Sequence, residues 1–400
     1  MGRGLERIGL TVPLSESGLL RSARRVTRLS DFGDEEFRLP LRRLLQSHEE
    51  EAGLSPSGRL IKRVDLVDLL ATRLRVRREI ADRPALLDDP VRSPLIVTGL
   101  PRTGTTLLQR LLSLDPGARP LLTWEAMWPA PLSRRGGSGP DPRIRYARRL
   151  IGATRRVLPD IDRLHPLDPE APEECTRLLD GAFRWGYFAI ERRLPGYAAW
   201  LEGLGPDAME PAYRWYALQL QVLQGQRPTP GHWVLKSPAH LGNLPALLAV
   251  IPAARVVIAT RDPREVVGSA CSLFALLQGT SVAGARTRKM GPPVAESLAR
   301  DLLGGLEVAA ADPERVRVVG YADLVERPVE TLREIYAGFD MPFPDGLEGA
   351  ARAWLEEHPR GLHGVHRYDL ATYGLDEDEV ERIFEAPERV MSRMGRSSRK

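Results

Sequence analysis

The sequence of 400 residues predicts an α/β fold built on a central parallel sheet. Two observations carry this expectation. Four short runs, PLIVTG (94–99), HWVLK (232–236), RVVIAT (255–260) and RVRVVG (315–320), are rich in β-branched residues and of a length that suits strands buried on both faces of a parallel sheet. Each run stands near a helical pattern: Leu107, Leu108, Leu111 and Leu112 follow the first, and HLGNLPALLAVI links the second to the third. Strands alternating with helices in this way form a sheet covered by helices.

The elements follow in order. Residues 1–92 read as a helical N-terminal region, with apolar residues at three- and four-residue spacing in RLPLRRLLQSHEEEAG and LIKRVDLVDLLATRLRVRREIADRP. Pro90 and Pro94 punctuate the entry into the first strand. Residues 93–131 and 231–345 carry the strand–helix core. Between them, 132–230 is too long for a loop and holds helical stretches such as EECTRLLDGAFRWGYFAI and AYRWYALQLQVLQG, so it reads as a helical insertion over the sheet. Nine of the 24 aromatic residues fall between 183 and 216, among them Trp185, Tyr187, Phe188, Trp200, Trp215 and Tyr216; they line an acceptor pocket or pack a helical core. Residues 346–400 read as a C-terminal helical segment ending in the basic tail SRMGRSSRK.

Composition narrows the class. A net charge of +4 is too mild to imply nucleic-acid binding. Cys175 and Cys271 are too few for a disulfide framework or a zinc site. The opening MGRGLERIGLTVPLSE has no apolar signal-peptide run, and no apolar stretch approaches the roughly 20 residues of a membrane span, so a soluble cytoplasmic protein is expected. Lysine occurs only at Lys62, Lys236, Lys289 and Lys400, so a lysine at a suggestive position stands out against an arginine-rich background.

Three stretches carry chemistry. In GLPRTGTTLLQRLL, Gly99 and Gly104 have the spacing of a phosphate-binding loop, with Thr106 at its final hydroxyl position. Such a strand–turn–helix junction binds anions through backbone N–H groups and the helix dipole. Thr103, Thr105 and Thr106 add hydroxyls, and Arg102 adds a planar charged fork. Thr105 occupies the place of the lysine that ATPases use, which argues against ordinary ATP chemistry. Lys236 ends the second strand, where parallel sheets present ligand-facing groups, and Pro238 stops that strand. In RVVIATRDPREVVGSACSLF, Arg261 ends the third strand as a candidate phosphate clamp, Ser269 lies two helical turns on, and Asp262 reads as a helix N-cap or a metal ligand.

Together and in this order, these stretches resemble the sulfotransferases that use 3′-phosphoadenosine-5′-phosphosulfate (PAPS), especially the bacterial branch and the tyrosylprotein sulfotransferases. GLPRTGTTLLQRLL is similar to that family's 5′-phosphosulfate loop and RDPREVVGS to its 3′-phosphate site; the likeness continues through LKSP and GYADLVERPVETLREIYAGFDM, over about 94–128 and 231–343. The resemblance implies a P-loop NTPase-like three-layer fold. It also implies that PAPS serves as co-substrate, without metal, and that the acceptor is a small molecule. It places Arg102, Thr103, Gly104, Thr105 and Thr106 around the 5′-phosphosulfate, Arg261 and Ser269 at the 3′-phosphate, and Lys236 on the transferring group.

Sulfuryl transfer also needs a base for the acceptor proton. Glu125, in RPLLTWEAMWP after the loop helix, is the candidate, since an apolar setting raises a carboxyl pKa; the tyrosylprotein branch has a Glu in the corresponding segment. His165 is the rival base, and His240, beside KSPA, is a candidate acceptor contact. RTRKMG (286–291) reads as a basic loop, and no role attaches to Arg367 or Tyr368. The competing functions are an ATP-dependent kinase on the same architecture and a non-catalytic nucleotide-binding protein.

Overall fold

The computed structural model describes residues 12–132, 139–157, 167–184, 194–281, 289–358 and 369–397. Five strands form one parallel sheet: β1 (Leu95–Gly99), β2 (Ala118–Pro120), β3 (His232–Lys236), β4 (Arg255–Thr260) and β5 (Val316–Gly320), in the order β2-β3-β1-β4-β5. The four sequence-predicted strands are all present. The fifth, β2, is only three residues long, contains a proline, and has no apolar run to announce it.

The helices are α1 (Glu16–Thr27), α2 (Arg38–Glu50), α3 (Pro56–Asp82), α4 (Thr105–Leu112), α5 (Thr123–Met127), α6 (Pro142–Val157), α7 (Thr176–Asp180) and α8 (Pro195–Glu202). They continue with α9 (Glu210–Gln224), α10 (Leu244–Val250), α11 (Pro263–Ser281), α12 (Gly291–Ala311), α13 (Tyr321–Glu326), α14 (Pro328–Gly338), α15 (Leu347–Glu357) and α16 (Glu377–Ser397). Two of the N-terminal starts follow from local chemistry: Ser15 and Ser55 accept the Gly18 and Gly58 N–H groups as N-caps, and Pro56 occupies the first helical position of α3.

Strand residues alternate between two cores, which is why both faces read as apolar. Leu95, Val97, Val234 and Val257 pack with Leu108, Leu111 and Leu112 of α4 and with Leu332 and Ile335 of α14. Ile96, Leu235, Val256 and Ile258 face the other core, shared with Leu44 of α2, Leu70 of α3, Leu220 of α9 and Leu302 of α12. The result is three layers with the sheet in the middle.

Charged side chains fasten the N-terminal helices to the insertion. The Arg73 guanidinium lies between the rings of Phe37 (4.4 Å) and Trp215 (4.5 Å) and pairs with Asp34 at 2.7 Å. On α7, Arg177 reaches Asp65 at 2.6 Å and Asp68 at 3.1 Å on α3, and Asp180 at 3.5 Å. Burial opposes the charge of Asp65, but Arg177 and Lys62 outweigh it and hold its carboxyl well below the usual range.

Candidate functional site

The order β3-β1-β4 places the chain's crossover at the carboxyl edge of β1, where open α/β sheets bind ligands. In register, Val97 pairs with Lys236 on one side and Gly99 with Ala259 on the other, so the three stretches singled out from the sequence meet at one edge.

The loop depends on its glycines. At Gly99 (φ 150°) a Cβ would lie 2.3 Å from the Ala259 carbonyl oxygen, and at Gly104 (φ 86°) it would lie 2.9 Å from the Tyr321 ring. Arg102 is left-handed without being glycine (φ 69°), a costly conformation that turns the loop ahead of α4. The Thr103 hydroxyl donates inward to the Leu100 carbonyl at 2.7 Å, so it closes the loop and leaves only its N–H for a ligand. Thr105 is buried, whereas Thr106 and Arg102 are exposed.

Arg261 stands beside this loop. It donates to the Arg102 carbonyl at 3.1 Å, stacks 4.1 Å from the Tyr321 ring centroid, and pairs with Glu265. Ser269 is buried on α11. Asp262 accepts the Arg264 N–H at 2.9 Å as the N-cap of that helix, and the Arg264 side chain holds its carboxyl below the usual range.

Lys236 is 2% exposed, and its Nζ lies 2.6 Å from Glu174 Oε1 and 3.4 Å from Thr106 Oγ1. A buried lysine needs an anionic partner. That partner comes from the insertion, through a segment stitched across the strand ends. The Thr123 N–H donates to the Ala171 carbonyl (3.1 Å), Glu173 N–H to Leu121 (2.9 Å), Cys175 N–H to Lys236 (2.8 Å), and the Gln109 amide to Glu173 (3.0 Å). Glu174 is absent from the sequence-predicted site: it falls in the stretch EECTRLLDGAFRWGYFAI, which reads as helical, whereas α7 begins only at Thr176, and tertiary contact brings Glu174 to Lys236. The lysine's demand for a counter-charge was the one available signal.

Glu125 takes a different place from the one expected of a base. It is 1% exposed, with Oε1 accepting from Arg119 at 3.0 Å and Oε2 accepting from the Leu122 N–H at 3.1 Å and from Arg227 at 3.2 Å. Arg119 in turn stacks 3.8 Å from the Trp233 ring, and burial brings it down to about 10. Trp233 precedes Lys236 by three residues on β3, about 10 Å along the strand, so this geometry gives Glu125 a charge-compensating and capping role.

His240 is likewise withdrawn from any cleft. It is buried between Cys175 Sγ (3.1 Å) and Tyr213 Oη (3.0 Å), and burial pushes it down to about 3. Burial also raises the Cys175 thiol to about 12, so it is no nucleophile. Of the clustered aromatics, Phe183, Tyr197, Tyr213, Trp215 and Tyr216 are core residues. His165, Trp185, Tyr187, Phe188, Arg367, Tyr368 and residues 286–288 of RTRKMG lie outside the described residues. Among the described residues, no group of three or more His, Cys, Asp or Glu side chains is placed to hold a metal, and no helix is long and apolar enough to cross a membrane.

A loop with the glycine spacing of a phosphate loop but no lysine of its own, lying beside a buried lysine of the adjoining strand, coincides with a match of residues 94–345 to the model of the sulfotransferase family; the chain belongs to that family. It is 28% identical over 291 residues, 70% of each chain, to the omega-hydroxy-beta-dihydromenaquinone-9 sulfotransferase Stf3 of Mycobacterium tuberculosis (strain CDC 1551 / Oshkosh) and to that of Mycobacterium bovis. Among solved structures it is similar to sulfotransferase STF9 from Mycobacterium avium, at 29% identity and a TM-score of 0.83 over 96% of this chain and 97% of that one. It is also similar to sulfotransferase STF1 from Mycobacterium tuberculosis H37Rv, at 29% identity and a TM-score of 0.80 over 92% and 98%.

Proposed function

We propose that the protein transfers a sulfuryl group from PAPS to a hydroxyl or amine of a small-molecule acceptor, in line and without a metal. The observation that carries this reading is the contact of Lys236 with both Glu174 (2.6 Å) and Thr106 (3.4 Å) at the mouth of the loop. A loop in which a Cβ at Gly99 or Gly104 would strike its neighbours fits close approach of a phosphate to backbone. Arg102 and the N–H groups of 103–106 would hold the 5′-phosphosulfate, and Arg261 and Ser269 the 3′-phosphate. When bound, PAPS supplies the sulfuryl group and leaves as adenosine 3′,5′-bisphosphate.

The chain's own groups divide the remaining work. Lys236 and Arg102 place positive charge where negative charge develops on the departing phosphate oxygen. Glu174, rather than Glu125, accepts the acceptor's proton, because it is the carboxylate held against Lys236. In the free protein each neutralises the other, so neither charge stands unpaired. The curated relatives act on a hydroxylated dihydromenaquinone, which makes a hydroxylated apolar molecule the first acceptor to assay.

Thermal-shift titration tests the donor. Adenosine 3′,5′-bisphosphate without Mg²⁺ should stabilise the protein, by about 2.7 kcal/mol at a hundredfold excess over Kd, and Lys236→Ala should keep that shift while losing transfer. Stabilisation by Mg·ATP alone would instead mark a kinase. Unchanged transfer in Lys236→Ala would remove the lysine from the mechanism.

A further inference from the structure

Helix α6 has six arginines and no acidic residue in its 16 positions. Its inner side is anchored: Ala147 and Ile151 are buried, and Arg143 donates to the Trp128 carbonyl at 2.8 Å and lies 4.5 Å from the Trp124 ring. Its outer side is not what charge alone would build. Tyr146, Leu150, Ala153 and Val157 follow one another at the spacing of a single stripe along the helix, and Tyr146, Leu150 and Val157 are 42%, 49% and 67% exposed.

Arg145, Arg149 and Arg156 each precede a residue of that stripe, are exposed, and make no ion pair among the described residues. The other outer arginines are engaged: Arg148 pairs with Glu170 at 3.0 Å, and Arg155 donates to the Leu167 carbonyl at 2.7 Å. An exposed patch on α3, formed by Leu60, Ile61 and Val64, provides the contrast. There the neighbouring cations are spent, Arg59 on Glu49, Lys62 on Asp65, and Arg63 on the Pro13 carbonyl. Among the described residues, α6 sets three exposed arginines that make no ion pair beside an exposed apolar stripe.

From this we infer that α6 is a docking helix for an anionic membrane surface, lying in the interface with its arginines on lipid headgroups and Tyr146, Leu150 and Val157 at the acyl boundary. A nucleic acid would meet the arginines but gain nothing from covering Leu150 and Val157. The helix also stands over the site's wall, since its partners Leu167 and Glu170 belong to the segment that runs on to Glu174. Docking therefore brings the segment that leads to Glu174 close to the bilayer. That use of the surface rests on the sulfuryl-transfer reading; the docking itself does not.

Co-sedimentation of the full chain with vesicles tests it, with no donor or acceptor present, so failure here is separate from failure of the transfer reading. The protein should bind vesicles of equal parts phosphatidylcholine and phosphatidylglycerol, not phosphatidylcholine alone, and added salt should weaken binding. The triple variant Arg145→Glu, Arg149→Glu, Arg156→Glu should bind about a hundredfold more weakly or worse. Leu150→Ser with Val157→Ser should also weaken binding, and Ile61→Ser with Val64→Ser should not. Each variant should keep the wild-type urea midpoint, because the changed side chains are exposed. Equal sedimentation of wild type and the arginine variant would overturn the proposal. So would binding to a DNA duplex that anionic vesicles do not displace.

Discussion

Two glutamates separate at the scale of single residues. Glu125 neutralises Arg119, whose Nε and Nη1 already lack hydrogen-bond partners, so Glu125→Gln leaves a buried guanidinium without its counter-charge. The expected cost is about 3 kcal/mol of stability, read as a lower urea midpoint. Glu174→Gln should also lower that midpoint, since the buried Lys236 loses its counter-charge, but by less than Glu125→Gln because Glu174 itself is partly exposed, while turnover drops about a hundredfold or more. Equal turnover in Glu174→Gln and wild type would remove it as the base. Lys236 was legible in the sequence because it ends a strand and is one of four lysines in an arginine-rich chain. Glu174 was not, since no periodicity or motif ties it to a strand 62 residues away.

At the scale of elements, strands covered on both faces declare themselves by unbroken apolar runs, which is why β1, β3 and β4 were legible; β5, a half-exposed edge strand, was legible from its valines. The edge strand β2 was hidden: Arg119 takes a buried place by stacking on Trp233, a contact that local pattern does not encode. A similar non-local contact sets the behaviour of the short helical turn after β3. His240 is held neutral there between Cys175 and Tyr213, with its folded pKa at about 3. The unfolded chain protonates its histidine near pH 6.5. This contribution is therefore complete above about pH 6.5 and is lost as the pH falls towards 3, at about 1.4 kcal/mol per pH unit. His240→Gln should be less stable at neutral pH but show a shallower decline across that window. Parallel declines in urea midpoint for the two proteins would show that His240 does not titrate on unfolding.

At the scale of the whole molecule, the fold class and the meeting of the three stretches at one sheet edge were readable in advance, and the route by which the insertion reaches the site was not. That route runs through Arg177, three residues beyond Glu174, to Asp65 and Asp68 on α3. The stretch matching the family, 94–345, contains the cation but not these two anions. It is therefore not electrically self-contained. A shortened chain beginning at residue 94 would keep the loop, Lys236 and Glu174, yet leave Arg177 with Asp180 as its remaining counter-ion. We expect such a fragment to lose transfer and to gain little stability from adenosine 3′,5′-bisphosphate. Full turnover by that fragment would show the N-terminal helices to be dispensable. A helix outside the family-matching stretch, α3, thus supplies the counter-ions that keep the wall beside the loop in place.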